Sequence, residues 1–278
     1  MKIDKVMDQV THMVLALFIV VWGFIAVIIV WGSWRFTRQH GFLSPILSSR
    51  WNPLTGHFGL ASFILGSLTV TVLAVVIVSP WSLGLSVLGA RILQGSWQRY
   101  FVRFLTVFVS LPSVLYGWWG LTVIVPGIRR LTGSSGYGVL SASLVVALMI
   151  LPTFSILSLK AIRQVPESYV EGSVGLGASE DQTLWHIILP TARPRLAQAA
   201  LIAIARALGE TIAVQMVIGG QFGRPGLLHP AATLTTQLLT DLPLLPPGTA
   251  GHFVLDYMAF LLMLLMTVIV GLEMRMGE

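Results

Sequence analysis

The sequence contains no cysteine, which excludes disulfides, thiolate nucleophiles and cysteine-based metal sites. Lysine is nearly absent as well. The chain has only Lys2, Lys5 and Lys160, and none lies in the G-x-x-x-x-G-K-S/T loop that cradles the phosphates of ATP. The histidines show no close ligand spacing, and no basic and aromatic module indicates nucleic-acid binding. We therefore predict no catalytic, metal-binding or cofactor-binding residues in this chain.

Charge is the next scarce feature, since charged residues make up 10% of the 278 positions, against about a quarter in a soluble domain. The chain is instead 55% hydrophobic. Six apolar stretches reach the length of about 20 residues that a membrane-spanning helix needs. They are residues 13–31, 58–78, 104–128, 139–159, 196–218 and 253–272. These stretches predict an all-α, polytopic membrane protein with six transmembrane helices, forming a single transmembrane domain over residues 1–278 with both termini on one side.

The distribution of basic residues predicts the orientation, because cytoplasmic loops carry an excess of lysine and arginine. With a cytoplasmic N-terminus, ten basic residues lie inside and six outside. We therefore expect both termini, and a polar segment at residues 160–195, in the cytoplasm. The external residues are opposed by one clear external acid, Asp241, and predict either an anion-attracting outer face or anchors at headgroup level. They are Arg35, Arg38, Arg50, Arg129, Arg130 and Arg224.

The polar segment holds four of the eleven acidic residues, so it must project into water. We predict two short helices within it. Pro166 suits a first helical position, and Gly177 suits a left-handed stop for the first helix. Ser179 and Gln182 form a capping-box pattern that starts the second helix, which Pro190 ends. An ordinary solvated loop explains the composition equally well.

The polar segment also contains a series of residues at fixed spacing. They are Glu171, Gly172, Ser173, Gly177, Ala178, Ile187, Leu189 and Pro190. The pattern resembles E-A-A-x3-G-x9-I-x-L-P, the signature loop of ABC-importer permeases. This resemblance implies that the segment is a coupling loop, whose helix docks into a groove on a cytoplasmic ATPase. The departure is Gly172-Ser173 in place of two alanines, but small residues are kept, so close packing on a partner remains possible.

The third apolar stretch is repeatedly interrupted, at Pro112, Gly117, Gly120, Pro126 and Gly127. A break that faced lipid would leave backbone groups without partners, so this helix must face protein or an aqueous path. Ser113 and Tyr116 then become candidate donors along a translocation pathway. A kinked packing helix is the simpler interpretation of the same residues.

The fifth apolar stretch carries two charges, Arg206 and Glu210, at positions one helical turn apart. Charges inside a membrane are costly, so they turn inward and pair or serve transport. A structural pair that holds the bundle is one hypothesis. Direct contact with an oxyanion is the other, because the planar guanidinium matches such a ligand. Thr211 adds a hydroxyl beside them.

Several longer runs resemble one family. They are ARALGETIAVQMVIGG, LPSVLYGWWGL, LMILPTFSILSLKAIRQVPESYVEGSVGLGAS and HPAATLTTQL. Together they are similar to phosphate-specific ABC transporter permeases of the PstC type, over roughly residues 55–275. The resemblance implies a type I importer permease that moves phosphate across the cytoplasmic membrane by alternating access. It implies that Glu171 and Gly177 belong to the coupling loop and that Arg206 and Glu210 are the polar residues of the ALGET helix.

The resemblance also implies partners: a second permease that is PstA-like or a second copy, two ATPase subunits, and a periplasmic or extracellular phosphate-binding protein. ATP would be hydrolysed on the separate subunit, and this chain would need no cofactor. A short helix at residues 231–241 would give the binding protein a resting place on the outer surface, although a plain loop fits as well. Alternatives are a permease for molybdate, tungstate or sulfate, a signalling or scaffold subunit, and an intramembrane enzyme.

Overall fold

The computed structural model describes residues 2–223 and 225–277, so Arg224, assigned above to an external loop, lies outside the described residues. The helices are α1 (Lys2–His40), α2 (Leu43–Leu47), α3 (Ala61–Val87), α4 (Gly95–Val109), α5 (Ser113–Trp119), α6 (Val125–Thr132), α7 (Val139–Arg163), α8 (Glu167–Gly175), α9 (Glu180–Thr183), α10 (Leu189–Gly209), α11 (Ile212–Ile218), α12 (Leu234–Asp241) and α13 (Ala250–Gly277). Single π-helical turns follow α3, join α5 to α6 and join α9 to α10. One small hairpin pairs Trp51–Asn52 (β1) with His57–Phe58 (β2).

Five helices in the described part of the chain are long and apolar enough to cross a membrane. They are Val10–His40, Ala61–Ile92, Val139–Arg163, Glu180–Gly209 and Ala250–Met276. A sixth crossing is available if the pair Gly95–Val109 and Ser113–Thr132, bent by 85°, is one span. The all-helical membrane fold predicted from the apolar stretches is therefore confirmed.

The contacts of the bent pair show that it crosses from one end of the bundle to the other. At its start, Gln98 Nε2 donates to the carbonyl oxygen of Gly89 at 2.8 Å, and Arg163, the last residue of α7, donates to the same oxygen at 3.2 Å. Towards its end, the carbonyl of Val125 lies against Gly136, just before the first residue of α7. Because α7 is one continuous helix, its two ends lie on opposite sides of the membrane. The bent pair is thus a sixth span rather than a re-entrant loop, and six spans return the chain to its starting side.

The chain forms two compact units, of which the smaller combines the residues up to Ala61 with Thr240–Leu264. In this unit no residue in the most apolar part of α1 is buried, as expected of a surface that faces lipid. Phe36 is buried against Phe58 and Tyr257. Under the hairpin, Trp51 Nε1 donates to Asp241 Oδ2 at 3.1 Å, so this acid is buried rather than facing external arginines.

Two of the external arginines stack on aromatic rings of the same unit. The Arg35 guanidinium carbon lies 4.3 Å from the ring centroid of Trp31, and that of Arg38 lies 4.9 Å from the ring of Trp34. Such cation–π pairs are typical of residues that hold a helix end at the membrane surface. For these two arginines the structure favours the anchor interpretation.

The larger unit, Ser62–Leu239 with the chain from Leu265 onward, is built around α7. The helix α10 packs against α7 through three buried alanines at four-residue spacing, Ala199, Ala203 and Ala207. Small residues at such spacing let helix backbones approach closely, which is how helices associate where there is no water to drive them together. The close contact between α7 and α10 therefore follows from the spacing of these alanines.

Residues 231–241, expected to form a short helix at the outer surface or a plain loop, contain the helix α12 but are partly buried. Residues 231–234 are buried, and α12 begins only at Leu234. The backbone N–H of Leu234 donates to Ser67 Oγ on α3 at 2.9 Å, and Thr235 Oγ1 reaches the carbonyl of Glu210 at 3.2 Å. The chain after α11 therefore returns along the bundle, so that the start of α12 lies beside the start of α11. Threonine and serine hydroxyls that supply partners to its backbone allow this segment to lie inside the bundle.

Substitution at Gly66 tests the close approach of α3 to this segment. A Cβ at Gly66 would collide with the carbonyl oxygen of Ala232, whereas one at Gly84 in the same helix meets nothing within 4 Å. We expect Gly66→Ala to destabilise the protein by about 1–3 kcal/mol through overpacking against backbone. Gly84→Ala is the matched control and gains up to about 1 kcal/mol of helix propensity. Thermal unfolding in detergent measures both, and equal stability of the two variants would contradict the close contact.

Candidate coupling and translocation sites

The polar segment folds into an elbow made of α8 and α9. Gly177 has a φ of +84° and ends the first helix as predicted. The N–H of Gly177 donates to the carbonyl of Val174 and the N–H of Ala178 to the carbonyl of Ser173, the two bonds of a Schellman motif. Pro166 differs slightly from the prediction, since it precedes the helix as its N-cap, with an extended ψ of 132°.

The second helix starts as predicted but does not end where expected. Ser179 and Gln182 form both hydrogen bonds of a capping box. Pro190 does not stop the helix, because a π-helical turn over Leu184–Ile188 precedes it and the chain continues helically into α10. A proline lacks only its own N–H, and a wider turn before it accommodates its ring. The result is one helical run, Glu180–Gly209, of 30 residues.

Two sets of contacts make the elbow rigid. Ser173 and Thr183 share a hydrogen bond of 3.0 Å between their hydroxyls, which ties α8 to α9. At the base, Ile162, Val165 and Ile188 form a small buried cluster, with Leu184 and Leu189 packed against it. Of the second half of the signature, Leu189 and its neighbour Ile188 therefore pack at the base of the elbow. Ile187 is half-buried and Pro190 is exposed.

The elbow exposes large apolar side chains as well as its acidic residues. Leu176 is 91% exposed, Trp185 66% and Tyr169 54%. Glu171 is exposed, and among the described residues no ion pair engages it. A Cβ at Gly172 would meet nothing within 4 Å, so the fold itself does not require glycine there. Large exposed apolar side chains on a water-facing loop indicate a surface that another protein covers.

The third span is broken between Val109 and Ser113, and its free carbonyls have two donors. Tyr116 hydroxyl donates to the carbonyl of Phe108 at 2.8 Å, and Arg206 Nη2 reaches that of Val109 at 3.5 Å. A cation and a hydroxyl at a helix C-terminus satisfy its orphan carbonyls and complement its dipole. Tyr116 therefore stabilises the kink between α4 and α5. Ser113, the other candidate in this span, is half-buried at the start of α5.

The fifth span is broken as well, at Glu210. The helix α10 ends at Gly209, and Glu210 has extended backbone with a ψ of 126°. Its carboxylate Oε1 accepts the N–H of Ala213 at 3.0 Å, which caps the first turn of α11. Thr211 Oγ1 donates to the carbonyl of Gly209 at 3.3 Å. The carboxylate of Glu210 thus serves the helix that follows it.

The predicted pairing of Arg206 with Glu210 is wrong. Both residues lie in the described part of the chain, where no ion pair joins them. Arg206 Nη1 donates instead to Thr153 Oγ1 on α7 at 3.0 Å. The prediction assumed an unbroken helix, and the bend after Gly209 removes Glu210 from the face that carries Arg206.

The two breaks belong to one region of the bundle. Beyond them, α5 and α11 pack closely, since a Cβ at Gly117 would lie 2.9 Å from Ala213 Cα. The region therefore gathers Arg206, Tyr116 and Glu210, together with two residues that sequence reasoning missed. Thr153 and Thr235 gave no signal in a single sequence, because isolated hydroxyls are frequent in apolar helices and only the fold brings them to a break.

Comparison with known proteins assigns the chain to a family. Residues 82–275, more than half of the chain, match the family described as binding-protein-dependent transport system inner membrane component. The chain belongs to this family. It is therefore a multi-pass inner-membrane permease subunit of an ABC importer, and ATP is hydrolysed on a separate subunit.

Individual relatives and a solved structure are consistent with this family assignment. The chain is 36% identical over 207 residues to the probable ABC transporter permease YqgH of Bacillus subtilis, covering 72% of this chain and 67% of that protein. It is 27% identical to the phosphate transport system permease PstC of Mesorhizobium japonicum, over 86% of this chain and 79% of that protein. The fold is similar to a chain from the MetNI methionine ABC transporter in an inward-facing form, with a TM-score of 0.57, 22% identity, and coverage of 78% and 92%.

A double-mutant cycle tests the separate roles of Arg206 and Glu210. We expect Glu210→Ala to cost about 1 kcal/mol through loss of the cap on α11, and Arg206→Ala to cost a similar amount through loss of its bonds to Thr153 and Val109. Because the two side chains share no partner, their effects should add to within about 0.5 kcal/mol. Unfolding of the purified single and double variants measures this. A coupling energy well above about 0.5 kcal/mol would support a direct ion pair between Arg206 and Glu210.

Proposed function

We propose that this permease imports inorganic phosphate, as the PstC-type subunit of its importer. Support comes from the relatives named phosphate transport system permease protein PstC, which match at 27% to 29% identity over most of the chain, and from the ALGET run that carries Arg206 and Glu210. Permeases for molybdate, tungstate or sulfate remain the main alternative, because a tetrahedral oxyanion presents the same geometry to a guanidinium.

The observation that carries the mechanism is the unbroken helical run Glu180–Gly209. At about 1.5 Å per residue it extends roughly 45 Å, from the capping box of the elbow to the break at Glu210. Displacement of the elbow by an ATPase would move this rod and, with it, Arg206 and the start of α11. Alternating access requires that the elbow make different contacts in the two nucleotide states of the ATPase.

The pathway candidates are the polar residues at the two breaks. Arg206 uses two of its five N–H groups in the described contacts and is only half-buried, which leaves donors for a passing oxyanion. Tyr116 and Glu210 fix the breaks on either side, and Thr211 and Ser113 add hydroxyls. In this proposal the guanidinium exchanges a bond to Thr153 or Val109 for one to the substrate.

The proposed complex contains this chain as one permease domain, a second permease that is PstA-like or a second copy, two ATPase subunits and an external phosphate-binding protein. The exposed apolar surface of the elbow is the proposed ATPase contact, with Glu171, Gly172, Gly177 and Ala178 at its centre. The elbow and both termini then lie in the cytoplasm. A scaffold or signalling subunit would have the same surface but would carry no flux.

Uptake by the complex, purified with its native partners and reconstituted in vesicles, tests this function. We expect ATP-dependent accumulation of labelled phosphate in preference to molybdate and sulfate. Leu176→Glu should reduce uptake at least about tenfold, since a charge would be desolvated in the ATPase contact. Leu131→Glu is the matched control: Leu131 is 87% exposed at the opposite end of the bundle, and its substitution should leave uptake unchanged.

The outcomes separate the rival hypotheses. Preference for molybdate or sulfate would exclude phosphate as substrate while leaving the coupling mechanism intact. Normal uptake by Leu176→Glu would remove the elbow from the ATPase contact. Absence of uptake of any anion by the unmodified complex, with ATPase activity present, would favour a scaffold.

Labelling of single cysteines tests the orientation, and the chain has no native cysteine to interfere. We expect Glu180→Cys to be protected from a membrane-impermeant maleimide in intact cells and to react after lysis. Ser135→Cys, in the exposed loop between α6 and α7, should react in intact cells. The reverse pattern would place the elbow outside and overturn the proposed contact with a cytoplasmic ATPase.

A further inference from the structure

The helix α4 presents three distinct faces. Gln98 and Leu105 lie on the face towards α7, where Leu105 is buried. A second face carries large exposed side chains, Trp97 at 76%, Tyr100 at 62% and Phe104 at 60%. Aromatic residues of this kind concentrate where a helix meets the boundary between hydrocarbon and headgroups. The second face is therefore aromatic and exposed, as expected of a helix surface at the membrane boundary.

The third face is basic. Arg99 and Arg103 follow one another at four-residue spacing and are both exposed. With Gln98, Val102 and Arg163 at the end of α7, they line a groove of about 270 Å³. We call it the basic groove.

In the part of the chain that the structure describes, no ion pair involves the arginines that line the basic groove. Arg99 Nη2 donates only to Ser96 Oγ, at 3.3 Å, and Arg163 Nη2 donates to the carbonyl of Gly89. The nearest ion pair, Arg91 with Glu167 at 4.0 Å, involves none of the three lining arginines. Three guanidinium groups at one groove repel one another unless an anion lies between them.

The groove also lies at the end of the membrane-spanning bundle. Arg163 is the last residue of α7, and both it and the start of α4 are tied to Gly89, where α3 ends its crossing. The aromatic face of α4 adjoins the groove on the same helix. An anion at this place is therefore at the depth of lipid headgroups.

We propose that the basic groove binds the headgroup phosphate of an anionic phospholipid such as phosphatidylglycerol. Arg99 and Arg103 hold the phosphate, Arg163 closes the groove from α7, and Trp97, Tyr100 and Phe104 lie among the acyl chains. Guanidinium groups match phosphate oxygens in bidentate geometry. The aromatic face favours a lipid over free phosphate, because free phosphate gains nothing from apolar neighbours. The assignment is independent of the anion that the permease transports.

Native mass spectrometry of the purified full-length chain tests the lipid site, with phosphatidylglycerol and phosphatidylcholine as probes. We expect the unmodified chain to prefer phosphatidylglycerol. Each basic residue near an anionic lipid contributes about a fivefold change in affinity. The double variant Arg99→Gln with Arg103→Gln should therefore bind phosphatidylglycerol about 25-fold more weakly, and lysine at both positions should retain most of the binding.

The matched control removes two positive charges elsewhere. Arg129 and Arg130 form an exposed pair at the end of α6, beside the opposite end of α7, and glutamine at both positions should leave the lipid affinity unchanged. An equal loss in the two double variants would show a general charge effect and overturn the site. Displacement of phosphatidylglycerol by millimolar inorganic phosphate, or equal binding of phosphatidylcholine, would overturn the lipid assignment.

Discussion

Backbone groups inside a membrane must find partners within the protein, and two spans of this bundle interrupt their own helical hydrogen bonding. At the break in the third span, Tyr116 and Arg206 donate to backbone carbonyls. At the break in the fifth, Glu210 accepts one N–H and Thr235 donates to one carbonyl. Several of these partners come from other helices, so the breaks are stable only in the assembled bundle. The polar side chains that bind these backbone groups are the ones that we propose for contact with the anion.

The elbow and the breaks are parts of one mechanical element. Within the elbow, the Schellman motif, the capping box and the bond between Ser173 and Thr183 are all local, so its shape does not depend on the ATPase. Its base is packed on the ends of α7 and α10. In the proposed mechanism, a rigid elbow joined to a long helix moves that helix as one body. A signature of only twenty residues can in this way change the positions of polar side chains far away in the membrane.

The sequence predicted local features well and tertiary ones poorly. Gly177 and the capping box were found because glycine and the Ser179 to Gln182 spacing act through backbone geometry within a few residues. The prediction that Pro190 ends a helix was wrong because the π-helical turn that accommodates this proline has no recognisable sequence pattern. The supposed pair of Arg206 and Glu210 rested on helical spacing across Gly209, where the helix ends. The stretch 231–241 was placed at the outer surface because it follows the fifth apolar stretch. The structure instead uses a hydroxyl of this stretch, that of Thr235, to bind a backbone carbonyl inside the bundle.

The contact between α7 and α10 combines dense packing with few directional bonds. Ala199, Ala203 and Ala207 are buried in it. Among the described residues, Arg206 donates to Thr153 within the contact, and Arg195 of α10 donates to the carbonyl of Gln164, just after α7, at 3.4 Å. Small apolar surfaces slide with little cost in hydrogen bonding, so in the proposed mechanism a shift of α10 along α7 changes chiefly these two bonds. The Arg206 guanidinium also reaches the carbonyl of Val109, so the proposed movement of the elbow would alter the support of the third span. In the proposed mechanism, Arg206 therefore couples the motion of the fifth span to the break in the third.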